Sequence, residues 1–394
     1  MSLKNHILIT NKAECCGCTA CYAICPKNAV TMRMDAEGFQ YPVVDEGKCV
    51  DCGLCVKACP IRTGNQNEKT DSFYAIIHDR EEVREKSSSG GVFTAMAQAV
   101  IGRKGVVYGA AFDENFNVKH IRAEDDSWSA LRTAKYVQSD MGDIFRKVKA
   151  DLKDGKEVLF TGTPCQVDGL KNYLKNVDTT KLIAADLICH GVPSPGVWRD
   201  FLSFVSGNHS KSIGRINFRN KKDCGWHRTT VKIEDTDGNV ISNEPQDRTL
   251  FTKLYFTHLI LRPACFSCQY ANLKRAGDIT IGDYWGVENH HPELDDDRGT
   301  SLVMANTPKG KEFLQSLVNC KIVPVAEDEC MQPNLKAPAK DYGGKEVFWR
   351  TYQKFGFQIA CKRLGYLEKK LPDKLLMLCL RVSDKLASMF RKLT

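Results

Sequence analysis

The sequences CCGCTACYAICP at residues 15–26 and CVDCGLCVKACP at residues 49–60 carry one spacing twice: Cys15, Cys18, Cys21, Cys25-Pro26 and Cys49, Cys52, Cys55, Cys59-Pro60. Each copy reads C-x2-C-x2-C-x3-C-P. In the bacterial two-cluster arrangement, three thiolates of each run hold one [4Fe–4S] cube and the fourth reaches across to the other. The first cluster is therefore expected on Cys15, Cys18, Cys21 and Cys59, and the second on Cys49, Cys52, Cys55 and Cys25. Small residues between the thiols (Gly17, Thr19, Ala20, Gly53) let backbone N–H groups approach sulfur. A zinc site needs only four thiolates, usually two C-x2-C pairs across a longer gap. A disulfide framework needs export, and residues 1–12 offer only Ile7, Leu8 and Ile9 as an apolar run, far short of a signal-peptide core. Cys16 has no place in the spacing.

Around this module, 394 residues at 42% hydrophobic leave room for a main domain with its own core. No stretch has the length of a membrane span. Eighteen cysteines without an export signal point to a reducing cytoplasm. Residues 345–394 hold twelve Lys/Arg against four Asp/Glu, so this tail carries the whole net charge of +8. The neutral remainder lacks the positive excess of a nucleic-acid binder.

Taken in order, residues 1–62 read as a two-cluster ferredoxin domain, with short strands at Ala29–Met32 and Gln40–Val44 around the Glu37-Gly38 turn. The polar segment from Arg62 to Ser72 reads as a linker. Residues 73–340 alternate strands with amphipathic helices, an α+β domain with an α/β-like core. Its expected strands include Phe73–His78, Gly105–Asp113, Glu157–Thr161, Leu182–Cys189, Asp278–Gly282 and Ser301–Asn306. Expected helices include Val92–Ile101, Asp140–Lys153, Gln166–Leu174 and Thr249–Leu261. Residues 341–394 form a helical basic tail.

Three stretches of the main domain carry chemistry. Ser87 to Gly91 precedes a helix start, where free amides suit a phosphate or pyrophosphate; an ordinary serine cap is the alternative. Gly162-Thr163-Pro164-Cys165 follows a strand and opens a helix, a place that favours thiolate and suits a nucleophile or metal ligand. Cys189 ends another strand, and Cys265 and Cys268 form a C-x2-C pair. These four thiols make one further [4Fe–4S] site or a scatter of buried small hydrophobes; spacing leaves both open.

The ordered set SSGGVFT (88–94), GTPCQV (162–167), CHGVPSP (189–195), FRNKKDCGW (218–226), PACFSC (263–268) and AGDITIGDYWG (276–286) resembles the family of the beta subunits of coenzyme F420 hydrogenases and dehydrogenases. It is similar also to the plant 7-hydroxymethyl chlorophyll reductases, which share the core. The resemblance covers residues 14 to about 330 and implies FAD and an iron–sulfur centre in the main, flavin-binding domain. It makes Cys165, Cys189, Cys265 and Cys268 ligands of a third cluster. It also places the FAD phosphates near Ser89, Gly90, Gly91 and Thr94, with Lys135 and Ser139 close to the flavin. Arg219, Lys221 and Trp226 are expected on an open face where substrate meets the flavin ring, a basic surface hairpin being the alternative.

The expected function is that of a cytoplasmic flavin and iron–sulfur oxidoreductase, with FAD joining two-electron and one-electron chemistry. Its partner is a redox protein or a small electron donor or acceptor. The substrate stays open between a coenzyme F420-like deazaflavin and another reducible metabolite, such as an intermediate of surface-polysaccharide biosynthesis. The rival from another class is a non-catalytic, ferredoxin-like electron carrier. His190, beside a proposed ligand, is a candidate proton donor or a hydrogen-bond partner of the cluster. In the tail, Leu375, Leu376, Leu378, Val382, Leu386, Met389 and Phe390 form an apolar stripe edged by Lys374, Arg381 and Lys385. That stripe suits packing on the main domain or peripheral contact with an anionic membrane.

Overall fold

Apolar runs at 106–112, 158–160 and 182–185 leave no polar face to solvate, and strands of that kind are buried on both sides. In the computed structural model they lie side by side in the middle of a large sheet. The structure describes residues 5–207, 212–369, 373, 374, 377 and 380. In chain order the strands are β1 (Val30–Met34), β2 (Gln40–Val44), β3 (Phe73–His78), β4 (Val106–Phe112), β5 (Val118–Ala123), β6 (Val158–Gly162) and β7 (Leu182–Leu187). Then come β8 (Ile213–Asn220), β9 (Thr230–Asp235), β10 (Val240–Pro245), β11 (Ile279–Asp283), β12 (Ser301–Ala305) and β13 (Cys320–Val325).

Eight strands form the mixed sheet β13-β3-β12-β11-β7-β6-β4-β5. Its centre, β11-β7-β6-β4, is parallel, and the pairs outside it are antiparallel. Side chains alternate across the pleat as the period of two requires. Val106, Tyr108, Val158, Phe160, Leu182 and Ala184 face one core. Val107, Leu159 and Ile183 face the other, under the helix Val92–Gly102. The result is a mixed α/β main domain, with helices on both faces of the sheet. A separate antiparallel sheet, β10-β9-β8, packs on an aromatic cluster around Trp198, Phe218 and Phe251.

The front module is not loosely attached. Cys16, Cys18, Ala20 and Ala23 sit in the same apolar core as Phe160 and Leu170. The helix Pro164–Tyr173 comes so close that a Cβ on Gly169 would stand 2.8 Å from Cys18 Sγ. The expected linker is strapped down as well. Asn65 Nδ2 donates to the carbonyls of Gln269 (3.1 Å) and Lys274 (2.8 Å), and Thr70 Oγ1 to that of Ala305 (3.0 Å).

Several boundaries differ from the sequence reading. The helix expected at Asp140–Lys153 starts at Ile144, because Gly142 takes a left-handed φ of 42°. The one expected to reach Leu261 stops at Phe256, and His258 follows at φ 64°. A helix at Lys345–Arg363, kinked at Gly356, buries Phe348, Trp349 and Phe357 against the aromatic cluster. Most of the amphipathic stripe expected beyond it lies outside the described residues. No described helix is long and apolar enough to cross a membrane.

Candidate redox site

Three groups of thiols stand at the ends of short loops. Among the described residues every cysteine is a free thiol. Cys25, Cys49, Cys52 and Cys55 surround one small cavity. Backbone N–H groups point at three of these sulfurs, from Ala29 to Cys25 (3.3 Å), Asp51 to Cys49 (3.4 Å) and Ile7 to Cys55 (3.2 Å). Cys15, Cys18, Cys21 and Cys59 are buried together. Burial first, and then the neighbouring thiols of Cys15 and Cys59, push Cys21 far above the ordinary thiol range. A crowd of buried thiols that cannot ionise side by side is a donor set fitted to a cationic iron core.

The third group comes from the main domain. Cys165 follows β6, Cys189 follows β7, and Cys265 and Cys268 lie at the turn Pro263–Ser267; all four line one cavity of about 40 Å³. Burial first, then Cys265, Cys165 and Cys268, raises the Cys189 thiol well above its usual range. Gly191 N–H points at Cys189 Sγ (3.4 Å) and Val192 N–H at Cys265 Sγ (3.4 Å). Cys16, unplaced by the spacing, lines this same cavity, and the thiols of Cys165 and Cys18 are the groups that act most on its own buried thiol. It stands between the first and third groups.

A larger cavity, about 300 Å³, opens at the carboxyl ends of β6, β7 and β11, where ligands of open parallel sheets bind. Ser89, Gly91, Lys135 and Ser139 line it; Gly90 and Thr94 do not. Gly90 is pressed against Ile76 O, where a Cβ would come within 2.3 Å. Thr94 Oγ1 is buried and finds no partner among the described residues. The Ser89 hydroxyl already donates to Thr300 O (2.8 Å), so an anion here would meet the amides opening the helix rather than that hydroxyl. Lys135 has no carboxylate partner among the described residues and donates to Arg132 O (2.5 Å) and Thr133 O (3.2 Å). Burial lowers its pKa to about 7. An uncompensated cation beside a helix start fits a bound phosphate.

The cavity also has walls that no motif announced. His120 Nε2 meets Thr161 O (2.9 Å), so that nitrogen carries the proton and Nδ1 accepts from Ser139 Oγ (2.8 Å). Burial lowers its pKa to about 4, which keeps the ring neutral. Arg132 lines the cavity with a buried Nε that has no partner among the described residues. His120 is isolated in sequence, and only the fold brings it to Ser139; Arg132 lies one turn of chain before Lys135, but no motif marks it.

Arg219, Lys221 and Trp226 are buried, and none lines the large cavity. The stretch expected as an open face or a basic hairpin is an internal brace. Lys221 Nζ donates to the carbonyls of Arg84 (2.7 Å), Ser89 (3.1 Å) and Arg298 (2.6 Å), holding the Ser87–Gly91 loop in place. Arg219 Nη1 pairs with Asp283 (2.7 Å), which does line the cavity and also accepts from Trp226 Nε1 (3.1 Å). His190 borders both cavities, and its Nε2 lies 2.8 Å from His258 Nε2. His258 Nδ1 donates to Lys340 O (2.6 Å), and His190 Nδ1 lies 3.2 Å from Asn334 Oδ1.

Residues 155–329 match the family model for the C-terminal part of the coenzyme F420 hydrogenase/dehydrogenase beta subunit. Residues 14–63 match the 4Fe-4S dicluster domain. The chain is similar to the F subunit of the F(420)H(2) dehydrogenase of Methanosarcina mazei, 23% identical over 332 residues covering 78% of this chain and 89% of the relative. It is similar also to an uncharacterized protein of Methanocaldococcus jannaschii, 26% identical over 363 residues, 80% of this chain and 89% of the relative. Among solved structures, a chain of the F420-reducing [NiFe] hydrogenase complex from Methanosarcina barkeri is similar at 17% identity with a TM-score of 0.46, covering 70% of this chain and 97% of that one. The chain is thus an electron-transferring iron–sulfur oxidoreductase that carries, behind a 4Fe-4S dicluster domain, the C-terminal domain of the coenzyme F420 hydrogenase/dehydrogenase beta subunit.

Proposed function

We propose that the chain binds FAD in the large cavity and a third [4Fe–4S] cluster on Cys165, Cys189, Cys265 and Cys268, and moves electrons between a reducible metabolite and the two ferredoxin clusters. The carrying observation is that the two cavities share a wall, made by Thr163 and by Cys189 to Val192. FAD supplies the adaptor chemistry, a hydride exchanged with a two-electron partner and single electrons exchanged with a cubane. The chain's own part is positional. Lys135, Arg132 and the amides before Val92 are suited to the anionic half of the cofactor, Lys221 fixes the Ser87–Gly91 loop, and neutral His120 takes the Ser139 hydroxyl on one ring nitrogen and Thr161 O on the other. Within the dicluster module, Cys15, Cys18, Cys21 and Cys59 are assigned to one cluster and Cys25, Cys49, Cys52 and Cys55 to the other. The substrate is a coenzyme F420-like deazaflavin or another metabolite able to take a hydride.

Iron and flavin counts on anaerobically purified protein test this reading. About twelve irons and one flavin per chain are expected, at four irons per cube. Cys165→Ser is expected to lower the iron to about eight while the dicluster signals persist. A wild-type chain that holds about eight irons and no flavin after reconstitution is the electron carrier of the rival reading.

A further inference from the structure

Arg262 is 0% exposed and makes no ion pair with a carboxylate among the described residues. Burying a guanidinium without an anion is expensive, so something else must balance it. Its partners come from the front module. Nε donates to Cys15 O (2.6 Å), Nη2 to Cys15 Sγ (3.4 Å) and to Gln40 O (2.9 Å), and Nη1 to Gln138 Oε1 (2.9 Å). Gln138 in turn donates to Cys16 O (2.9 Å), so the pair grips the first cysteine loop from both sides. Gly17 has to be a glycine there: φ is 73°, and a Cβ would meet Gln138 Nε2 at 2.7 Å and Arg262 Nη1 at 2.8 Å. The plane of the guanidinium lies over the rings of Tyr41 (4.4 Å) and Phe39 (5.3 Å), which exclude water. On its other side Arg262 lines the cavity of Cys165, Cys189, Cys265 and Cys268, and it immediately precedes the turn that carries two of them.

One buried cation therefore touches a sulfur of the first thiol group and borders the third. Among the described residues nothing equivalent serves the second. Its cavity is bordered by Lys27, which is exposed, and Cys52 is exposed as well, so water screens charge there. A cube on four thiolates is anionic, and accepting an electron adds one negative charge with no bond made or broken. A fixed, dry positive charge favours that reduced form.

We propose that Arg262 is the shared counter-ion of the two clusters that meet at the domain junction, and that it holds the Cys15-bound cluster at a higher reduction potential than the cluster of Cys25, Cys49, Cys52 and Cys55. Electrons then rest at the junction rather than at the exposed end of the module. The first half rests on the dicluster domain alone; the part played at the third group rests on the three-cluster reading above.

The test is a dithionite titration of the full-length, anaerobically reconstituted protein, followed by electron paramagnetic resonance, for wild type, Arg262→Gln and Arg262→Lys. Glutamine keeps hydrogen-bonding capacity but removes the charge. In the glutamine variant the midpoint of the Cys15-bound cluster is expected to fall by about tenfold in its reduction equilibrium, about 59 mV for one electron, and that of the third cluster to fall with it, while the midpoint of the cluster on Cys25, Cys49, Cys52 and Cys55 stays in place. Lysine, which keeps the charge, is expected to recover most of the shift. Unchanged midpoints at unchanged iron content overturn the proposal, and so does a lysine variant that shifts as far as the glutamine one. If Arg262→Gln loses iron, Arg262→Lys decides: wild-type iron and midpoint support the counter-ion, and equal loss makes Arg262 a structural clamp only. A wild-type iron count near eight sinks the three-cluster reading separately and leaves the Cys15 midpoint measurable.

Discussion

Asp186→Asn should unfasten the segment that carries Cys268 and should do so measurably. Asp186, in β7, is 0% exposed, and Arg275 is 2% exposed. Arg275 Nη2 binds Asp186 Oδ1 at 2.8 Å and Leu187 O at 2.7 Å, its Nη1 binds Tyr270 O at 2.5 Å, and its Nε binds Thr280 Oγ1 at 3.2 Å. The carboxylate accepts as well from Thr280 Oγ1 (2.6 Å) and Gly277 N–H (2.8 Å). An amide in its place leaves the guanidinium charge buried and unbalanced, a loss of about 3–5 kcal/mol. Unfolding entropy near 2.1 cal/mol/K per residue gives about 0.8 kcal/mol/K for 394 residues, so Tm should fall by about 4–6 °C. Thermal unfolding of anaerobically prepared protein, followed by circular dichroism with iron counted beforehand, reads this out. A fall below about 1 °C at full iron content would refute the idea that this ion pair anchors the strand pair β7-β11 and the turn behind Cys268.

Two further outcomes follow from the cavity walls. Burial holds Lys135 near pKa 7 with the cavity empty, and pairing with a bound anion raises that value, so above pH 7 binding takes up a proton. Flavin affinity, measured by fluorescence quenching, is therefore expected to be flat below pH 7 and to weaken up to about tenfold per unit above it; Lys135→Met should be weak and flat throughout, and an unchanged profile in that variant removes Lys135 from the site. Trp226 is 0% exposed and stacked on Trp285 at 4.7 Å, whereas Trp285 is 43% exposed. Trp226→Ala should cost about 3–5 kcal/mol in chemical denaturation and Trp285→Ala clearly less, and equal small losses would return Trp226 to the role of a surface contact.

The parts of the fold legible in sequence are those with a short-range signature. The cysteine runs, the strands of the sheet centre and the helix after Gly162-Thr163-Pro164 each depend on spacing, continuous apolar character or a cap, and a single window shows these. β10 escapes such a reading because Val240–Pro245 is an edge strand with almost no buried side chain and so no alternation to read. The helix at Lys345–Arg363 lies within the tail read as helical, but its kink at Gly356 and its burial of Phe348, Trp349 and Phe357 are not legible there. Arg219, Lys221 and Trp226 carry chemistry that suits a surface, and the structure turns it on carbonyl and carboxylate groups inside. His120 and Arg262 have no pattern around them. Their side-chain partners lie between about 20 and 250 residues away in sequence, a separation that only tertiary structure closes.

Domains joined by a linker usually meet through small, polar surfaces and move against one another. The ferredoxin module here does something different. Cys16, Cys18, Ala20 and Ala23 are part of the main domain's apolar core, and Arg146 from the main domain binds the carbonyls of Tyr22 (3.1 Å) and Ala23 (3.2 Å). Swinging the module away would expose that core, unmake those bonds and strip Arg262 of its partners on Cys15 and Gln40. The first and third thiol groups are therefore held in one fixed relation, with Cys16 between them. Traffic across such a junction cannot be gated by domain motion and has to be governed by relative potential. That requirement gives a buried, carboxylate-free arginine at this point a role beyond packing, because it adds a charge where a small electrostatic difference decides on which side an electron rests.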